Sequence, residues 1–259
     1  MAKNKTILTV YIVLIILIGF FGGRLLINKQ LNNDFSKGVL AVNTDKNTYL
    51  VGETVKIQMT AVDAKGETNC KANLKLTING SPTDKTIKSS SCGNATINNA
   101  NYLYSFKPEK IGEYTIKLTD LDTKVTITNY FDVVNERNLD ITRETPTSID
   151  PTKDTRHPVK LIVTAKNDYA GEITDLIPEG LTVVWQGTAK VSENKISWRV
   201  DLKAGETKEL IYEYTVPNIV PASYTFKEYG EWTVIAAKSI EEPVKIPDII
   251  NKFKNEKDN

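Results

Sequence analysis

Val55-Lys56-Ile57-Gln58-Met59-Thr60-Ala61 alternates apolar and polar residues through seven positions. Successive side chains on a strand point to opposite faces. The stretch therefore turns Val55, Ile57, Met59 and Ala61 toward a core and Lys56, Gln58 and Thr60 toward water. A helix would scatter the same residues around its circumference. Downstream, Leu74, Leu76 and Ile78 alternate with Lys75 and Thr77, and Asn79-Gly80 follows, a pair that tolerates the positive φ of a tight turn. Tyr102, Tyr104 and Phe106 alternate next, and Pro108 ends that strand. Tyr114, Ile116 and Leu118 alternate with Thr115, Lys117 and Thr119, and a last strand is expected over 125–134. Short strands separated by turns predict a β-sandwich.

A short polar linker, 135–138, leads into a second set. Val159, Leu161, Val163 and Ala165 face one way. Ile196, Trp198, Val200 and Leu202 repeat the pattern, as do Leu210, Tyr212, Tyr214 and Val216. Trp232, Val234 and Ala236 form the expected final strand. With 259 residues the chain is long enough for two domains of roughly 100 residues plus an extra segment. The formal charge of +1 gives no basic excess of the kind a nucleic-acid binder shows, and a single histidine excludes a multi-histidine metal centre.

The extra segment is N-terminal. ILTVYIVLIILIGFF (7–21) carries no charge, and extended over 6–23 it reaches about 18 residues, the lower limit for a spanning helix. Lys3 and Lys5 precede it, as in a signal sequence. A cleavage site would need small residues after the apolar run, whereas Phe20 or Phe21 falls at the −3 position, so an uncleaved signal anchor is expected over 1–24. The spacer, 25–38, either continues the helix to the headgroups or is plain chain. The resulting expectation is all-β: two tandem immunoglobulin-like sandwiches at 39–135 and 139–238 behind one transmembrane helix, with a charged tail at 239–259. The N-terminus is cytoplasmic and the β region extracytoplasmic.

Two resemblances refine this. Asp45-Lys46, Tyr49 and Gly52-Glu53 leading into Val55, with Gly112-Glu113-Tyr114-Thr115-Ile116 later, resemble macroglobulin-type and related bacterial immunoglobulin-like domains over roughly 40–135. The thioester motif of full macroglobulins is missing, so the resemblance implies a fold and no reactive chemistry. The second half is similar to the conserved-repeat domains of bacterial and archaeal cell-surface proteins. The match runs through Asn167, Gly171, Ile173-Thr174-Asp175-Leu176-Ile177-Pro178-Glu179-Gly180-Leu181, Ile196-Ser197-Trp198 and Leu202-Lys203-Ala204-Gly205-Glu206-Thr207. That family supplies wall, surface-layer and adhesion modules, and this chain carries one copy and no array.

Candidate sites are few. Cys70 and Cys92, the only cysteines, read most simply as a disulfide in an extracytoplasmic domain, with free thiols or a metal site as alternatives. His157 lies between Arg156 and Pro158 at a strand entrance, without a motif that supplies a nucleophile. Asp120 and Asp122, and Asp140, Asp150, Asp154, Asp168 and Asp175, are acidic enough to raise calcium, yet their spacing matches no calcium loop and solvated carboxylates are expected. Trp198 and Trp232 fall on apolar strand faces. Trp185 ends the Leu181, Val183, Trp185 alternation beside Gln186-Gly187 and is the candidate exposed binding aromatic. Asn79 and Asn94 head glycosylation sequons. Ile249, Ile250 and Phe253 could face a partner or belong to a frayed tail. No cofactor and no catalytic residue is expected. The sequence reads as a membrane-anchored structural or adhesive protein that contacts envelope polymer or a surface protein. The alternative is an accessory or sensory subunit of a membrane complex.

Overall fold

The computed structural model describes residues 35–79, 81–83, 87, 101–153 and 156–238. The expected anchor, Cys92, Asn94, Asp154 and the tail from 239 lie outside the described residues. Among the described residues no helix is long and apolar enough to cross a membrane. Apart from a 3-10 turn at Phe35–Lys37, the regular structure is all β.

From Lys37 to Lys238 the described residues form one compact unit, with two large hydrophobic clusters. The first is built by β1 (Val39–Thr44), β2 (Thr48–Leu50), β3 (Val55–Val62), β4 (Leu74–Ile78), β5 (Ser81–Pro82), β6 (Tyr102–Phe106), β7 (Gly112–Asp120) and β8 (Thr126–Val134). They form a three-stranded sheet, β1-β3-β6, and a five-stranded sheet, β2-β8-β7-β4-β5. The alternation read from Val55 onward sets the register, so that Val55 lies opposite Phe106 and Met59 opposite Tyr102. Val42, Ile57 and Met59 from one sheet meet Leu76, Ile116, Leu118 and Phe131 from the other in one core. Tyr49 meets Phe131 edge-on with centroids 5.2 Å apart, and Tyr114 stacks on the same ring at 5.2 Å. Two sheets burying a shared core are consistent with an immunoglobulin-like β-sandwich.

The second cluster is built by β9 (Leu139–Glu144), β10 (Ser148–Ile149), β11 (His157–Ala165), β12 (Tyr169–Leu176), β13 (Thr182–Trp185), β14 (Lys190–Ser192), β15 (Lys195–Leu202), β16 (Thr207–Thr215), β17 (Ala222–Phe226) and β18 (Trp232–Ala236). Three sheets share it: β13-β16-β11-β9, β12-β15-β14 and β10-β18-β17. In β11 every second residue is buried from His157 to Ala165. One period-two expectation fails. Leu181, Val183 and Trp185 do not continue on one face, because a bulge between Val183 and Trp185 shifts the register against β16. An extra residue reverses the parity of everything after it, and Val184 and Trp185 both face outward.

The two clusters meet along β1 and β18. Ala41 and Val62 pack on Ile235 and Ala237, all nearly fully buried. β10 pairs with β18 only at Ile235 and Ala236, which leaves the same edge of β18 open further up. Two asparagine side chains from the N-terminal half continue the ladder there. The Asn43 carboxamide donates to Thr233 O at 2.9 Å and accepts from Thr233 N at 2.8 Å. Asn129 Nδ2 donates to both Val42 O and Glu231 O at 2.8 Å. Buried Thr60 donates to Thr147 at 2.8 Å, and Lys238 N donates to Gly66 O at 2.7 Å.

Glycine allows two of the closest approaches. A Cβ on Gly66 (φ +80°) would lie 2.7 Å from Val220 Cγ1, and one on Gly230 (φ +100°) would lie 3.0 Å from Asn47 Cβ. Both positions are also in the region that L side chains avoid. G230A is therefore expected to destabilise the β region by about 1–2 kcal/mol. With the halves joined this closely, urea unfolding followed by tryptophan emission and far-UV dichroism should show one transition, shifted as a whole by G230A. Two separate transitions, with only one shifted, would count against a shared junction.

Candidate functional site

The turn that carries the Asp45-Lys46 and Gly52-Glu53 signature lies at the junction. Tyr49 is fully buried and its hydroxyl donates to Asp45 Oδ1 at 2.6 Å while accepting from Lys46 N at 3.1 Å. Gly52 takes φ +78°, Glu53 N donates back to Leu50 O at 3.0 Å, and Glu53 Oε2 accepts from Leu50 N at 2.9 Å. The turn so fixed holds Lys46 and Glu53 beside Arg137, in the 135–138 linker, and Asp140, at the start of β9.

These four side chains close a ring of alternating charge. Lys46 Nζ lies 2.6 Å from Glu53 Oε1 and 2.8 Å from Asp140 Oδ1. Arg137 lies 2.6 Å from Glu53 Oε2 and 2.7 Å from Asp140 Oδ2, and also donates to Thr48 O at 3.0 Å. Burial alone would raise the Glu53 pKa. The hydrogen bonds from Arg137 and Lys46 outweigh it and hold the carboxyl down at about 2. Burial likewise works against the charge on Lys46 and Arg137, but the two carboxylates reverse this and raise both cations. Asp45 goes the other way, raised by burial despite the Tyr49 hydrogen bond.

A second ionic group lies inside the C-terminal half. Arg143, on β9, is 1 % exposed and Asp175, on β12, is 0 % exposed. They pair through two hydrogen bonds of 2.8 and 2.7 Å. Tyr212 donates to Asp175 Oδ2 at 2.7 Å, Arg143 Nη2 donates to Glu228 O at 2.8 Å, and the guanidinium sits 4.9 Å above the Phe226 ring. Burial, then the Asp175 charge, pushes the Tyr212 hydroxyl well above its ordinary value. Arg143 also touches the other half, since its backbone N donates to Asp45 O at 2.9 Å.

The residues singled out from sequence fall into place separately. His157 is buried at the head of β11 with its ring 5.5 Å from that of Tyr214. Trp198 and Trp232 are buried, and Trp185 is 47 % exposed, its ring beside Gly187. Asn79 takes φ 49°, and its side-chain oxygen accepts from Thr115 N at 2.9 Å. No described cysteine is free, and Cys92 lies outside the described residues. The acidic residues have local uses. Asp120 accepts from Asp122 N, Asp150 from Thr152 N, and Asp168 from Ala204 N and Lys203, while Asp140 and Asp175 are ion-paired. Among the described residues no group of three or more His, Cys, Asp or Glu is placed to hold a metal. Asn43, Asn129 and Arg137 were not anticipated. The available signal was Asn129 at an inward position between Ile127 and Phe131, and Val39-Leu40-Ala41-Val42, whose lack of polar alternation marks a strand buried on both faces.

No family model matches the chain, and no curated protein matches it. Three solved structures illustrate the likenesses found. The FdeC adhesin of Escherichia coli is similar over 78% of this chain and 64% of its own, at 11% identity and a TM-score of 0.30. A Salmonella alpha-2-macroglobulin mutant is similar over 77% of this chain and 14% of its own, at 15% identity and a TM-score of 0.31. The collagen adhesin of S. aureus is similar over 78% of this chain and 93% of its own, at 12% identity and a TM-score of 0.25. The chain thus spans less than two thirds of the length of the first two. TM-scores this low do not establish a shared fold, which rests on the sheets and cores themselves.

Two outcomes are expected. R143M strands Asp175 inside the core and should cost about 3–5 kcal/mol, while R143M/D175L recovers part of that loss because no buried charge is left, only the Tyr212 hydroxyl and Glu228 carbonyl losing a partner. Equal losses in the single and double variants would mean that packing, and not the stranded charge, sets the cost. For pH, the Glu53 carboxyl titrates lower in the folded chain than its ordinary 4.5. Its contribution is complete above about pH 4.5 and lost as pH falls toward about 2. The raised Asp45 contributes with opposite sign. E53Q should therefore flatten the acid loss of stability in a urea series, and an unchanged pH profile would contradict the ring.

Proposed function

We propose that the chain is a membrane-anchored, extracytoplasmic surface protein of structural or adhesive role. In this reading residues 1–24 form the anchor, and 39–135 and 139–238 form two immunoglobulin-like sandwiches that act as one rigid piece. Cys70 and Cys92 form a disulfide, checked by alkylating the unreduced chain. The observation that carries the reading is the junction. A presenting or spacing module needs a fixed angle between its sandwiches, and here an apolar seam, a borrowed strand edge and a four-membered ion ring all fix it. The residue types at His157 and the acidic loops are used locally, and the reading assigns no catalytic activity. Its partners are the membrane and an envelope polymer or surface protein.

A second reading, an accessory or sensory subunit of a membrane complex, has one observation in its favour. Val184, Trp185 and Val191 are 42 %, 47 % and 36 % exposed on β13 and β14, each at the edge of its sheet. Exposed aromatics on open strand edges are common protein contacts.

Mild-detergent pull-down from native membranes, through a tag on the N-terminus, separates the two. Recovery of envelope polymer or surface protein without a stoichiometric membrane partner is expected. A stoichiometric integral-membrane partner would sink the stand-alone surface role.

A further inference from the structure

The outer face of the five-stranded sheet carries two exposed lysines on neighbouring strands. Across β4, β7 and β8 the register sets Lys75, Thr119 and Thr126 in one row and Thr77, Lys117 and Thr128 in the next. Thr115 and Tyr130 make the third, with Tyr130 50 % exposed. All lie on the side opposite the buried Leu76, Ile116, Leu118 and Phe131. Lys75 and Lys117 are both exposed, and among the described residues neither has an ion-pair partner. Among the described residues the carboxylates of this face, Glu113 and Asp132, occupy the row beyond Tyr130.

The C-terminal half provides an internal comparison. On its four-stranded sheet Lys160 is bracketed by Glu144 at 2.7 Å and Glu209 at 3.4 Å. There the lysine is neutralised within the protein, whereas on the five-stranded sheet two lysines on neighbouring strands are left with hydroxyls around them.

We propose that this face, through Lys75 and Lys117 with Tyr130 beside them, binds an envelope polymer of phosphodiester-linked polyols. The inference rests on the surface reading above. Lys75 and Lys117 stand at diagonal positions, about 7–8 Å apart at the backbone, so their flexible stems let the two ammonium groups reach successive phosphates on one chain. Threonine hydroxyls both donate to phosphate oxygens and exchange hydrogen bonds with polyol hydroxyls, and the tyrosine ring supplies a flat contact for the carbon backbone. Among the described residues the face offers no apolar wedge for insertion into lipid and no broad basic stripe for a nucleic acid.

The test uses the full chain in detergent micelles over immobilised glycerol-phosphate polymer, with neutral dextran as the control surface. Binding that high salt weakens is expected, with about fivefold or greater loss in K75Q/K117Q. Y130A should weaken it further, and K160Q, on the other half, should leave it unchanged. Equal binding to dextran, no binding, or full binding by K75Q/K117Q would overturn the proposal. Protease accessibility on intact cells separates the two levels. A protected β region defeats the surface reading itself, while an accessible one with polymer binding indifferent to the lysines defeats only this inference.

Discussion

Thr233 sits on β18 with its N–H and C=O directed at the other half of the chain, and both end on the carboxamide of Asn43. A buried strand edge cannot leave such groups without partners. β10 satisfies that edge only at its far end, so the junction exists because the N-terminal half supplies what is missing. Asn43 and Asn129 together prolong the ladder by side chains in place of a strand. Everything else in the interface fits around that constraint: Ala41 and Val62 are small enough to let β1 approach, and the glycine turns at Gly66 and Gly230 close against Val220 and Asn47.

The two ionic groups serve different ends. The Lys46–Glu53–Arg137–Asp140 ring is partly exposed, and each member meets two opposite charges, so desolvation is shared and the carboxyl of Glu53 is held down. The Arg143–Asp175 pair is fully enclosed. A pair of that kind adds little net stability against an apolar replacement, but breaking it is costly. It ties β9 to β12 and, through the Arg143 backbone, to Asp45. The same short turn thus supplies Lys46 and Glu53 to the ring and, through Asp45 O, a backbone contact to Arg143. The signature that resembles the opening of an immunoglobulin-like domain here does the work of a clamp.

How much of this was legible in sequence depends on whether a residue acts within its own strand. Val55 to Ala61, Leu74 to Ile78 and Ile196 to Leu202 announce themselves by period, because their neighbours along the chain carry the pattern. β10 and β17 are too short or too mixed to do so. The bulge before Trp185 is invisible to period, since it arises from how β13 meets β16. Arg137 read as ordinary linker polarity because its partners, Glu53 and Asp140, are brought to it only by the fold. Buried asparagines in strands are the exception: a polar residue at an inward position demands a partner, and that demand can be read before the partner is known.

The two β halves hold one fixed orientation, and pulsed electron–electron spin resonance between labels at Leu103 and Val191, both exposed and one on each half, measures it directly. A single narrow distance distribution, broadened when Asn43 is replaced by Ala in the presence of E53Q, is the predicted result. A broad or multiply peaked distribution in the unaltered chain would contradict the account.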